Sequence, residues 1–121
     1  ELSNPELMTA LSDAEWAIKA AEAEMMDLKV RLDRDRLQQK ATTAQVQSEQ
    51  VQAQLTFERD EKLFKEGLTP DLTLKLSRAK SDELKHRLEV ERERLRIADD
   101  MIRAQIEAKR VGIEKLRAAY D

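Results

Sequence analysis

Apolar residues recur along the first part of the chain at alternating steps of three and four: Leu7, Leu11, Ala14, Ile18, Ala21, Met25, Leu28 and Leu32. That rhythm is the stripe of a helix that supercoils with a partner. The phase then slips, and the stripe resumes at Leu37, Ala41, Ala44, Val51 and Leu55, reaching Leu63 and Phe64. A second stripe runs Leu74, Leu84, Leu88, Leu95, Ala98, Ile102, Ile106, Ile113, Leu116 and Tyr120. Its four-residue steps through Ala98, Ile102 and Ile106 form a stutter, which locally unwinds a supercoil.

Between the stripes lies a stop signal followed by a start signal, in Leu63-Phe64-Lys65-Glu66-Gly67-Leu68-Thr69-Pro70-Asp71. Gly67 can adopt the left-handed conformation that ends a helix in a Schellman turn, with Leu68 placed for an apolar contact back to Leu63. Thr69 suits an N-cap, Pro70 the first helical position, and Asp71 adds negative charge to the first turn. At the other end, Asn4 and Pro5 open the first helix in the same way. The pattern predicts helix 1 over about 5–66, a tip turn at 67–69 and helix 2 over about 70–121. So short a connection folds the helices back on each other. The predicted fold is all-α: a long antiparallel two-helix coiled-coil hairpin.

The two stripes can be laid against each other around that turn. Leu55 then falls opposite Leu84, Val51 opposite Leu88, Ala44 opposite Leu95 and Leu37 opposite Ile102. A register one residue different sets Leu32 against Ile106 and Met25 against Ile113. The slip in helix 1 comes level with the stutter in helix 2. On this register Ile18 faces the C-terminal end, and Leu7, Leu11 and Ala14 face nothing in the chain. Exposed stripes of this kind mark interfaces, either with another copy or with the rest of a larger protein from which the chain is cut.

Composition supports the two-helix reading. Aromatics make up 3% of the 121 residues and charged residues 39%, too few large apolar side chains for a globular core but enough for a narrow seam. Acid-then-base pairs at four-residue spacing recur on the predicted outer faces: Glu15/Lys19, Asp27/Arg31, Glu58/Lys62, Glu61/Lys65, Asp71/Lys75, Glu83/Arg87 and Asp99/Arg103. One window differs. From Ala41 to Phe57 the sole charged residue is Glu49. It is either a bland stretch of surface or a lateral face on which neighbouring helices approach.

Candidate chemistry is sparse. The net charge is −3, with acids and bases interspersed, which does not suit a nucleic-acid binder. The second helix, from Gly67 on, carries 13 Lys/Arg against 11 Asp/Glu, too small an excess for a nucleic-acid-binding arm. There is no cysteine, hence no disulfide or thiolate metal site. His86 sits among charges on a helix and reads as solvated. The Asp33/Asp35 and Asp99/Asp100 pairs could meet a divalent ion only weakly, since nothing encloses it. No glycine-rich phosphate loop is present. Trp16 reads as a structural contact near the hairpin base, and Met8, Met25, Met26 and Met101 as seam fillers. No cofactor, metal site or enzymatic activity is expected. No apolar run approaches the roughly 20 residues that span a bilayer.

Arg59, three residues, Leu63, three residues and then Gly67-Leu68-Thr69 resembles the hairpin tip of periplasmic adaptor proteins, the HlyD-like membrane fusion proteins. Glu1-Leu2-Ser3-Asn4-Pro5-Glu6-Leu7 is similar to the exit from the first half of their lipoyl domain. The family's tip serine would fall at Pro70, so Thr69 would supply the hydroxyl one residue earlier. The resemblance covers the hairpin alone, which makes the chain a fragment of a larger protein. It implies a part in a tripartite efflux or type I secretion system, where the adaptor bridges an inner-membrane transporter and a TolC-like outer-membrane channel. It also implies a periplasmic location, with the full-length protein anchored at the inner membrane. Neighbouring hairpins would associate side by side, and Arg59, Leu63, Gly67, Leu68 and Thr69 would form the tip that meets the channel. The alternative is a generic antiparallel coiled-coil spacer or scaffold without channel contact.

Overall fold

A computed structural model describes residues 4–120, which form two helices: α1, Asn4–Lys65, and α2, Asp71–Tyr120. They pack against each other as an all-α antiparallel hairpin. Glu1, Leu2 and Ser3, which carry part of the N-terminal resemblance, and Asp121, the last residue of the expected second helix, lie outside the described residues. The packing divides into two units. One is split in sequence, joining the chain up to Asp35 to the chain from Ala98 on; the other is continuous, Arg36–Ile97.

In the split unit most residues of the two predicted apolar stripes are turned away from solvent. Ala14 and Ile113 are buried, and Ile18, Ala21, Met25, Leu28 and Leu32 of α1 are half-buried, as are Ala98, Ile102, Ile106 and Leu116 of α2. Burial of such stripes is the main stabilising contribution in helix pairs of this kind. Two ion pairs join the helices at the edge, Glu22 with Arg117 and Glu24 with Lys109. Exposed pairs of this sort add at most about 1 kcal/mol each. Leu7 and Leu11 are exposed, as expected, but Ala14 is only 4% exposed and does have cover within the unit. Tyr120 is exposed rather than part of the seam. Gly112 sits inside α2 with no atom within 4 Å of where a Cβ would stand.

The continuous unit corrects the sequence reading. Leu37, Val51 and Leu55 are exposed, and so are Ala41 and Ala44. The face of α1 turned inward is instead Gln39, Thr43, Val46, Gln50, Ala53, Phe57 and Asp60, all buried or half-buried. These residues keep the three-four rhythm without a break. The α2 stripe is as predicted, with Leu74, Leu84 and Leu88 buried and Leu95 half-buried, but Ser77, Ser81 and Glu91 complete it.

The expected pairing of Leu55 with Leu84, Val51 with Leu88 and Ala44 with Leu95 is therefore not formed. Thr43 and Gln39 meet Glu91, where that register would have set Ser48, more than one helical turn away. The reason is that the polar seam is satisfied. Gln39 donates to Glu91, Ser81 donates to Gln54 Oε1 at 2.8 Å, and among the described residues no buried side-chain polar atom lacks a partner. Buried polar groups that keep their hydrogen bonds escape most of the penalty of burial.

The outer faces carry short-range pairs that the spacing predicts, among them Asp27/Arg31, Glu61/Lys65 and Asp71/Lys75. Lys19 lies over the Trp16 ring at 5.5 Å, and Trp16 is exposed rather than packed. Met8, Met26 and Met101 are exposed too, so of the four methionines only Met25 serves the seam. His86 is exposed, as read from the sequence.

Candidate functional site

The connection between the helices belongs wholly to the continuous unit. Gly67 takes φ +74°, the left-handed conformation that side chains beyond glycine resist. The Gly67 N–H donates to the Phe64 carbonyl at 3.0 Å and the Leu68 N–H to the Leu63 carbonyl at 2.8 Å. Those two bonds are the nested pair of a Schellman turn, so the stop signal read in the sequence acts as predicted. The Glu66 N–H closes onto the Lys62 carbonyl at 3.2 Å. Lys62 and Lys65 occupy the last turn of α1, where cations are favoured, and Asp71 the first turn of α2, where an anion is.

The start of α2 differs from expectation by one residue. The Pro70 carbonyl accepts the first helical bond, from the Leu74 N–H at 3.4 Å, so Pro70 occupies the cap position and the helix begins at Asp71. Thr69 then lies one residue outside the helix, and its hydroxyl makes no hydrogen bond among the described residues. The cap role read for Thr69 is not fulfilled.

The five tip residues have different surroundings. Arg59 is exposed, but its guanidinium is engaged by the buried Asp60 carboxylate, at 3.2 and 3.3 Å. Leu63 is half-buried, with its carbonyl in the turn, and Thr69 is half-buried as well. Leu68 is 69% exposed, so the apolar contact predicted between Leu68 and Leu63 covers little of the Leu68 side chain.

Sequence reasoning missed the rest of the exposed apolar surface here. Phe64 is 41% exposed, Leu72 66% and Leu76 62%. With Leu68 they bracket the turn on both helices. Phe64, read in the sequence as the end of the α1 stripe, is exposed instead; for Leu72 and Leu76 the available signal was position, since each is a large apolar residue off the buried stripe and near Gly67 in the chain. Within the same unit, the Arg78 guanidinium lies over the Phe57 ring, 5.3 Å from its centroid.

Little else suggests chemistry. Among the described residues no cluster of His, Cys, Asp and Glu could hold a metal ion, and no helix is long and apolar enough to cross a membrane. Two surface carboxylates titrate below their ordinary range: a hydrogen bond from Arg96 lowers Glu93, and one from Arg110 lowers Glu107. Comparison with known proteins returns no match: no family model fits the sequence, and no curated protein or solved structure resembles it significantly.

Proposed function

We propose that the chain is the hairpin of a periplasmic adaptor, acting in a tripartite efflux or type I secretion system and meeting a TolC-like outer-membrane channel with its tip. The observation that carries this reading is the apolar surface of Phe64, Leu68 and Leu72 around a turn fixed by two backbone hydrogen bonds. A pre-organised turn loses little freedom on docking, and exposed large apolar side chains supply the burial that docking needs. Arg59 and Leu63 belong to the same end of α1; Arg59 can exchange Asp60 for a carboxylate on the channel.

The proposal includes side-by-side association of neighbouring hairpins. It is supported by the exposed Leu37, Val51 and Leu55 on α1 and by Leu76, Val90 and Ile97 on α2. Both helices of the continuous unit thus offer apolar side chains away from the seam. Contact with the inner-membrane transporter falls to other parts of the adaptor, and the location is periplasmic.

The test uses the full adaptor. Arg59→Asp, Leu63→Ser and Leu68→Ser are expected to abolish channel assembly and export while helix content by circular dichroism stays at the parent level. Leu68→Ser is the cleanest of the three, because an exposed side chain is removed and the backbone bond to Leu63 remains. Export at the parent rate in all three variants favours the second reading, an antiparallel coiled-coil spacer without channel contact. That reading draws on one observation: the Arg59 guanidinium is already engaged within the chain.

A further inference from the structure

The continuous unit packs the less apolar of two available α1 faces against α2. The inward face is Gln39, Thr43, Val46, Gln50, Ala53, Phe57 and Asp60. The outward one, Leu37, Ala41, Ala44, Ser48, Val51 and Leu55, has the same three-four rhythm. It is offset by two residues, roughly 200° around the helix, so the two faces are nearly opposite. Hydrophobic burial by itself favours turning the second face inward against Leu84, Leu88 and Leu95. Something in the unit outweighs that preference.

We infer that the cluster of Gln39, Thr43, Glu91 and Arg94 is a register lock, which holds the polar face of α1 against α2 and the apolar face outward. Glu91 lies between Leu88 and Leu95 in the α2 stripe and is 6% exposed, so it cannot leave the seam while those leucines stay in it. Both of its carboxylate oxygens are occupied. Oε2 accepts the Gln39 amide at 2.6 Å, and Oε1 accepts Arg94 at 3.0 Å. The Glu91 backbone carbonyl accepts the Gln39 amide and the Thr43 hydroxyl, each at 3.3 Å. Thr43 alternatively bonds the Gln39 carbonyl at 2.9 Å, and Gln39 reaches the Thr43 hydroxyl at 3.3 Å, so the two α1 members brace each other.

Turning the outward face in would replace Gln39 and Thr43 by Ala41, Ala44 or Ser48. A buried carboxylate would then lose its cross-helix donors, which is among the most unfavourable changes a seam can suffer. Ser81, 1% exposed and bonded to Gln54, repeats the constraint further along α2. A polar layer that fixes alignment at the expense of apolar burial is a known device in coiled coils. Arg94 alone does not set the alignment, because it sits on the same helix as Glu91; the selecting partners are those on α1.

The sequence contains no cysteine, so engineered pairs report alignment without background. The Thr43–Glu91 contact places Val46 level with Leu88. Val46→Cys with Leu88→Cys therefore reports the polar face, while Ala44→Cys or Val51→Cys with Leu88→Cys reports the apolar one. In the otherwise unaltered chain, oxidation should cross-link the first pair only. Adding Glu91→Leu, or Glu91→Ala, should raise cross-linking of an apolar-face pair about tenfold or more, the effect of losing a charged hydrogen bond. Exclusive retention of the first cross-link in both variants overturns the inference. So does loss of helix content in both, because a lock between two folded alignments leaves the hairpin helical when it is released.

Discussion

The two units solve the same packing problem with opposite materials. The split unit brings together Ile18, Met25, Leu28 and Leu32 with Ile102, Ile106, Ile113 and Leu116, and its charges stay at the edge. The continuous unit buries Thr43, Asp60, Ser81 and Glu91 and leaves Leu37, Val51 and Leu55 in solvent. The comparison teaches that a regular apolar stripe marks a helix face able to pack but does not say which partner it packs on. In the split unit the stripe is used within the chain. In the continuous unit a hydrogen-bonded polar stripe takes that place, and the apolar stripe is left for something else.

The sharpest way to break this comparison is a pair of substitutions in the continuous unit. Leu88→Ala should lower stability by about 2–5 kcal/mol, the usual loss for a buried leucine. Leu55→Ala should change it by no more than about 0.5 kcal/mol, as at other surface positions. Equal losses in thermal or urea unfolding would mean that the apolar stripe faces inward after all. Ile113→Ala, in the split unit, should match Leu88→Ala, since each replaces a buried aliphatic side chain.

Gly67→Val comes next. Valine at φ +74° is strained by about 1–3 kcal/mol, and the loss belongs to the continuous unit. Hydrogen exchange should therefore quicken in residues 36–97 before it does in the split unit. Uniform quickening would show that the two units unfold as one.

The smallest effects concern exposed carboxylates, and they should be alike in both units. The folded-state values of Glu93 and Glu107 lie below the ordinary range because Arg96 and Arg110 hydrogen-bond them. Such a group adds stability above its ordinary value and loses it as pH falls through the lowered one. Arg96→Ala and Arg110→Ala should each return the neighbouring carboxyl upward in an NMR titration, with hardly any change in melting at neutral pH.

Helix type, turn position and the α2 stripe were legible because each rests on local chemistry. Gly67 selects the left-handed turn, and nothing else in the long helical runs could end them. The α2 stripe was legible because Leu74, Leu84, Leu88, Leu95 and Leu116 fall on one face, although Tyr120 turned out exposed. The α1 face in the continuous unit was not legible from hydrophobicity, since Gln39, Thr43 and Gln54 become favourable only once Glu91 and Ser81 are placed beside them. That matching is a property of pairs, which a single-strand pattern does not display. The tip was half legible: the backbone bonds of Gly67 and Leu68 form the turn as read, while Leu68 stays exposed, Thr69 lost its cap to Pro70, Phe64 left the stripe on which it was placed and the exposed Leu72 escaped notice.

The empty space beside Gly112 offers a route to a hardier molecule. An alanine methyl there would touch nothing, so the change acts through backbone freedom alone and should add about 0.5–1 kcal/mol. A version toughened in this way would give assembly experiments a sturdier background, with the residues around the turn left as nature made them.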